Sequence, residues 1–483
     1  MDAAVNATVP APARPLSRGR LWTDGFSFAA LGFACFPVSV FVPGEEWWVL
    51  GVFALAGLAL AAWRMKRLFS KGQEEIVSNV FLTFTLAFSI FFLFGPLLHV
   101  FGPEDQAAMA REWFPVNAPQ AMRLLATNLL GFGLALVAGE VVRWEGMTRA
   151  LTQRFSRIPS KDLGSMALTF IALGMAFKIF VLYNDLVLAR TVSGLYRIGS
   201  LMAPAGIFLH VYKSGLRFRF VSLLALTAAA FYSLAGVIEF SKTETFIPMM
   251  ALMGGILARK VTVVRLVACG ATLGAALSVL QPLNLEARNE TLRMVSPTYK
   301  ERLAIFQAAI DGNFAMAERV GAWARLDYTA PQRAAVHLYE TGNGGSDFEM
   351  LIWPFVPRFL FPGKPIITGA STEFTYKIRG FNSSATAMGV FINGFYNLGW
   401  LGLILVSFTV GVILSWFRAV LKAAQQADSV ILLCIGLFGH MTAILLSGTY
   451  LANFLGPFVT MFYAVLGMYG IIFLLEKRKG APA

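Results

Sequence analysis

Long apolar runs alternate along the chain with short polar stretches. A membrane crossing takes about 20 apolar residues, because only a helix satisfies its own backbone hydrogen bonds in hydrocarbon. Twelve segments fit, near 26–43, 47–63, 78–101, 124–142, 163–185, 198–212, 219–239, 245–258, 262–281, 398–417, 429–451 and 455–475. The pattern predicts an all-α polytopic membrane protein of about 12 transmembrane helices. Between Gln281 and about Thr386 it breaks for roughly a hundred residues, and connections of that length are usually functional or separately folded.

The break has its own punctuation. Ser296-Pro297 reads as an N-cap with proline at the first helical position, and Leu303, Ile305, Phe306, Ala309 and Ile310 form an apolar stripe behind it. A helix is predicted over 297–311, ended by Asp311-Gly312-Asn313. A second runs from Phe314 to about Leu326, and a third opens at Pro331 and stops before Gly342-Asn343-Gly344-Gly345. The aromatic stretch Phe348–Phe361, broken by Pro354 and Pro357, is expected to dip into the membrane interface, where aromatic rings collect.

Composition agrees: 57% of the 483 residues are hydrophobic and only 14% charged, too few charges for an ordinary soluble domain. Cys35, Cys269 and Cys434 each sit alone in an apolar run, which suggests neither a disulfide framework nor a zinc site. The Pro/Ala/Arg-rich start shows no small-residue cleavage site and is expected to persist as a disordered arm. The net charge of +13 falls mostly into short loops: Arg14, Arg18 and Arg20; Arg64, Lys66 and Arg67; Arg143 to Lys161; Lys213, Arg217 and Arg219; Arg259, Lys260 and Arg265; Arg418 and Lys422; Lys477 to Lys479. These clusters follow every second apolar run, as cytoplasmic loops do. Topology thus accounts for the charge, no nucleic-acid partner is implied, and both termini are expected in the cytoplasm. The expected division is a cytoplasmic arm over 1–25, membrane domains over 26–281 (about nine helices) and 387–476 (about three), an outer loop over 282–386, and a tail over 477–483.

Positive-inside sorting does not explain the cations of the outer loop, among them Arg288, Arg293, Arg325, Arg358, Lys364 and Lys377. A guanidinium presents a planar fork suited to phosphate oxygens, so outward arginines beside a membrane fit a lipid-linked phosphate; ion pairing within the loop is the competing reading. The sharpest local signal is Val356-Pro357-Arg358-Phe359-Leu360-Phe361-Pro362-Gly363-Lys364-Pro365, where three prolines stiffen the backbone around Arg358 and Lys364.

That stretch resembles the Wzy-type oligosaccharide repeat-unit polymerases, which often carry Pro-Arg-aromatic/Leu-aromatic-Pro-x-Lys-Pro in a large periplasmic loop. Arg325, Asp327-Tyr328, the glycine-rich turn 342–345 and Gly394-Phe395-Tyr396-Asn397-Leu398-Gly399 agree in order and placement. The resemblance covers about 120 residues. Gly363 departs from it, an acidic residue being common there. The resemblance implies a bacterial inner-membrane glycosyltransferase of O-antigen or exopolysaccharide synthesis, in which a glycan leaves its undecaprenyl-type polyprenyl diphosphate for a sugar hydroxyl on a new lipid-linked repeat. The implied partners are that lipid-linked oligosaccharide, membrane lipid and a chain-length regulator. No cofactor or metal is expected, since the four histidines are scattered.

The chemistry needs cations for the departing diphosphate and a base for the acceptor proton. Arg358 is the first choice for the diphosphate, followed by Lys364, Arg325 and Arg288. Glu373, Glu349, Asp347, His337 and Glu239 are open as bases. Ionisable residues in membrane helices usually have a task, which raises Glu239, Lys178 and His440. Glu239, Lys242 and Glu244 mark one outward turn, where a structural ion pair fits as well as catalysis. Arg190 and Arg197 flank another, suited to a second phosphate or to lipid headgroups. Asn393, Tyr396 and Asn397, where the chain re-enters the membrane, could bond sugar hydroxyls or serve the turn. A lipid-linked oligosaccharide flippase or polysaccharide transporter, and an O-antigen ligase, are the rival functions.

Overall fold

The computed structural model describes residues 20–112, 114–155, 163–183, 193–214, 220–239, 242–262, 264–276, 298–311, 323–324, 326–356, 361, 363–365, 369–380, 386–445 and 450–479. Among these residues the fold is all-helical, with no strand. In chain order the first half holds α1 (Arg20–Phe41), α2 (Trp47–Phe69), α3 (Gln73–Ser78), α4 (Val80–Phe101), α5 (Glu104–Glu112), α6 (Ala118–Val141), α7 (Glu145–Phe155), α8 (Leu163–Tyr183) and α9 (Ser193–Ser214). Then come α10 (Phe220–Ile238), α11 (Lys242–Arg259), α12 (Val264–Ala276), α13 (Tyr299–Ile310), α14 (Thr329–Glu340), α15 (Gly369–Arg379), α16 (Val390–Ala427), α17 (Val430–Leu445) and α18 (Leu451–Lys479).

Six helices, namely α1, α2, α4, α6, α8 and α16, are long and apolar enough to cross a membrane. Each of the other expected segments coincides with a helix, shorter or less uniformly apolar. The protein is therefore a helical membrane protein. α1 spans Arg20–Phe41, ahead of the expected 26, and its early turns hold Asp24, buried against the arginines of α2. The predicted loop helices over 297–311 and 331–341 exist as α13 and α14; that over 314–326 lies almost wholly outside the described residues. The cap of α13 is Thr298 rather than Ser296: Glu301 N donates to Thr298 Oγ1 (3.3 Å) and Thr298 N to Glu301 Oε2 (2.7 Å), a reciprocal box.

α6 is the axis. Asn117 and Gln120 cap its start reciprocally, at 3.0 and 3.1 Å, and most of its residues are buried. Small residues let neighbours close in: a Cβ on Gly25 of α1 would lie 2.8 Å from the carbonyl oxygen of Gly133, and one on Gly131 would lie 2.6 Å from the Phe391 ring. Without a hydrophobic drive between helices in lipid, close backbone packing of this kind carries much of the association. α4 loosens into a π turn over Ser89–Phe94 and a 3-10 turn over Gly95–Leu97, where Pro96 interrupts the hydrogen-bond ladder.

At one end of the bundle Asp24 of α1 receives Arg64 (2.6 Å) and Arg67 of α2, and Arg418 of α16 reaches Glu75 (2.9 Å) and Glu140 (3.3 Å). The Asp24 and Arg64 side chains are 1% and 0% exposed. Removing one partner strands a buried charge, so Asp24→Leu should cost roughly 3–5 kcal/mol of stability. The expected result is a large drop in the melting temperature of the purified protein; an unchanged value would show the pair to be immaterial.

At the opposite end the loop helices enter the bundle. α14 starts deep: Asn128 Nδ2, ten residues into α6 and so about 15 Å from its start, donates to Gln332 Oε1 at 2.9 Å. The ring of His337, farther along α14, lies 5.6 Å from that of Phe114, ahead of the α6 start, tilted by 47°. The entry of α14 is fixed by Asp327, whose Oδ1 accepts from Thr329 N (3.1 Å) and whose Oδ2 pairs with His99 Nε2 (2.9 Å).

α16 is two helices. Leu398 (φ −137°, ψ 22°) and Gly399 (φ 59°, ψ −139°) break it. A Cβ on Gly394 would lie 2.6 Å from the Gly402 carbonyl, whereas a continuous helix would separate these residues by about 12 Å. The chain therefore rises through Val390–Asn397, reverses, and descends from Trp400. This fold-back carries the site.

Candidate functional site around Asp347

Asp347 opens the 3-10 stretch Asp347–Phe355 and is buried where the loop meets the tip of α16. Its position follows from the turn before it. Gly345 N donates to Tyr396 O (3.0 Å), and a Cβ there would collide with the Tyr396 ring, so the chain passes tightly over the reversal. Asp347 N then donates to Asn397 Oδ1 (2.7 Å), while Asn393 Nδ2 (2.8 Å) and Asn397 Nδ2 (3.5 Å) both donate to Asp347 Oδ2. Both of these amide donations fall on Oδ2, and among the described residues none falls on Oδ1. Residues 393 and 397 lie one turn apart, which puts both amides on one helix face.

Burial pushes the Asp347 carboxyl above the ordinary carboxylate range, with Glu373 adding to the rise and the amides and Lys377 opposing it. Asn393 uses its other end too: Leu451 N donates to its Oδ1 at 3.2 Å, tying the start of α18 to the same residue. Lys377 of α15 brings a cation to this group, with Nζ at 3.1 Å from Glu373 and 3.4 Å from both Tyr396 OH and the Gly344 carbonyl. Beneath lie Leu124, Ala334, Ala335, Phe374 and Ile392, an apolar floor shared by α6, α14, α15 and α16.

The group thus unites three residues expected from sequence, Asn393, Tyr396 and Asn397, with a fourth, Glu373, held beside them by Lys377. Asp347 was one of several open bases and becomes the centre. Lys377 drew no particular expectation; its spacing of four from Glu373 was the available signal. Lys364, in the proline-rich stretch, folds back so that Nζ donates to the Val356 carbonyl (2.9 Å). That stretch begins after a 3-10 turn whose Ile352 and Phe355 are exposed, and Tyr463 of α18 donates to Phe355 O (3.1 Å).

Glu239 belongs elsewhere. Lys178, fully buried in α8, binds it at 2.8 Å and Glu244 at 3.4 Å, and α13 packs against the neighbouring Val237 and Ile238. His440 is bonded at both ring nitrogens, to Thr83 Oγ1 (2.6 Å) and the Val77 carbonyl (2.8 Å), as a packing residue would be. Arg358, Arg325, Arg288 and Arg190 lie outside the described residues, as do the side chains of Arg197 and Lys242. Comparison with protein-family models, curated proteins and solved structures finds no match to this chain.

Proposed function

We propose that the protein is a glycosyltransferase that joins polyprenyl-diphosphate-linked oligosaccharide repeat units at the periplasmic face of a bacterial inner membrane, as a surface-polysaccharide polymerase with about twelve crossings and both termini cytoplasmic. The observation that carries this reading is the setting of Asp347: two amides hold one carboxylate oxygen, Oδ2, among the described residues neither they nor any other donor engages Oδ1, and the proline-rich cationic stretch follows in the chain. A general base works best when burial has lifted its pKa toward the working pH.

In the proposed step, the acceptor hydroxyl gives its proton to Asp347 Oδ1 as its oxygen bonds to the anomeric carbon of the donor. The bond from that carbon to the diphosphate breaks, and the diphosphate departs with the electron pair. Arg358 is the cation assigned to it, with Lys377 balancing charge beside the base. The amides of Asn393 and Asn397 hold the carboxylate rather than the sugar.

The reading is tested by following lipid-linked repeats in cells lacking the protein, with a membrane-impermeant lectin reporting the leaflet. Single repeats accumulating on the outer leaflet support it. Repeats confined to the inner leaflet would assign a flippase, and full-length polymer still on its lipid carrier would assign a ligase. Within the same cells, Arg358→Ala should abolish polymer while protein levels in the membrane hold, and Arg358→Lys should restore it only in part, because an ammonium lacks the fork. Normal polymer length in Arg358→Ala would remove Arg358 from the mechanism.

A further inference from the structure

The end of the bundle remote from Asp347 gathers buried charge that the proposed reaction does not use. Arg64 and Arg67 share a single oxygen of Asp24, and Arg64 Nε also donates to Thr85 Oγ1 at 3.1 Å. Arg67 and Arg418 both stand near enough to Arg64 to repel it. Lys422, one turn beyond Arg418, faces Glu75 and Glu140 as well. Lys71 acts on Lys422 too, so among the described residues the cluster sets Arg64, Arg67, Lys71, Arg418 and Lys422 against Asp24, Glu75 and Glu140, two positive charges in excess.

The surplus coincides with unused donors. Arg64 is 0% exposed, yet among the described residues its Nη2 meets no acceptor, Nε of Arg67 and Nε of Arg418 are buried without one, and Asp24 Oδ1 is the one carboxylate oxygen of the cluster buried without a donor. A buried charged donor left unpaired is costly and signals a partner such as a water or an ion. Guanidinium groups crowded together with spare N–H groups match a phosphate, which accepts from several at once. Arg67 is the way in: its side chain is 21% exposed, and its guanidinium lies 4.6 Å over the ring of Trp63, itself 51% exposed. An exposed tryptophan beside a partly exposed arginine is the usual arrangement at headgroup level.

We propose that the Arg64–Arg67–Arg418 cluster is a binding site for a phosphate-bearing anion, entered past Arg67, whether the phosphate belongs to a lipid headgroup or is free in solution. The site is independent of the reaction at Asp347.

The test uses the purified full-length protein. Its melting temperature is followed in neutral detergent as inorganic phosphate is added, against sodium chloride at matched ionic strength, and in phosphatidylcholine bilayers with and without phosphatidylglycerol. Arg67→Gln, which spares the Asp24–Arg64 pair, is measured alongside. The expected result is a rise with one of the two anions that needs about tenfold more of it in the variant. A rise with phosphatidylglycerol identifies a lipid headgroup, and a rise with inorganic phosphate identifies the free anion. No rise beyond the chloride control, or an identical rise in Arg67→Gln, overturns the proposal and leaves water as the occupant.

Discussion

Asp347→Asn should reduce polymer formation by about 10²- to 10⁴-fold, the usual contribution of a general base, while the protein still inserts and folds. The substitution preserves shape. If the new amide turns its carbonyl oxygen to the position of Oδ2, both donations from Asn393 and Asn397 survive, and only the proton-accepting oxygen is lost. Asp347→Glu should fare nearly as badly, because an added methylene has no room in a site where Asp347 is 6% exposed. Wild-type polymer from Asp347→Asn would exclude Asp347 as the base.

The pH dependence supplies an independent check with opposite signs for rate and stability. Burial raises the Asp347 pKa in the folded protein, so the folded state holds this proton more tightly than the unfolded chain does. The group's contribution to stability is then fully present below the ordinary carboxylate range and is lost as pH rises through the raised folded value. The base is active only once deprotonated, so the rate climbs through that window while stability declines. Asp347→Asn should flatten the corresponding slope in a melting-temperature profile. A slope identical to wild type would mean that Asp347 does not titrate there.

Much of the frame was legible because lipid imposes a blunt requirement: apolar runs long enough to span, with cations between them. The helices α13 and α14 were legible for a different reason, since glycine pairs and prolines mark ends whatever the tertiary context. What escaped was depth. Nothing in Thr329–Glu340 says that Gln332 will reach Asn128 inside the bundle, and nothing before Leu398–Gly399 says that the chain has already risen through Val390–Asn397. The site shows the same division. Asn393, Tyr396 and Asn397 stood out as polar groups at a membrane re-entry, but Asp347, Glu349 and Glu373 are equivalent on paper. Only burial beneath the turn at Gly345, and the two amides one helical turn apart, distinguish the first from the others. Glu239 attracted attention as an intramembrane acid; its partner Lys178 comes from a helix whose pairing with α10 no local pattern announces.

Gly402→Ala should be as damaging to polymer formation as loss of the base, although residue 402 touches no substrate. A Cβ there would run into the carbonyl oxygen of Gly394, and the reciprocal Cβ on Gly394 would lie 2.6 Å from the carbonyl of Gly402. These are backbone atoms, so no side chain can turn aside, and the two arms of the fold-back must separate. Overpacking a core costs roughly 1–3 kcal/mol, and here the strain falls on the arm that positions Asn393 and Asn397. Gly399 closes the reversal with φ 59° and ψ −139°, a conformation an L side chain resists, and with Tyr339 OH 2.5 Å from where its Cβ would be. Gly470 provides the contrast, since a Cβ there meets nothing within 4 Å. Gly470→Ala should leave yield, melting temperature and polymer unchanged, whereas Gly402→Ala lowers the melting temperature and eliminates product. If both variants behave as wild type, the chain does not fold back at Leu398–Gly399. If Gly402→Ala melts lower but makes normal polymer, the fold-back is structural and the amides it carries do not position the base.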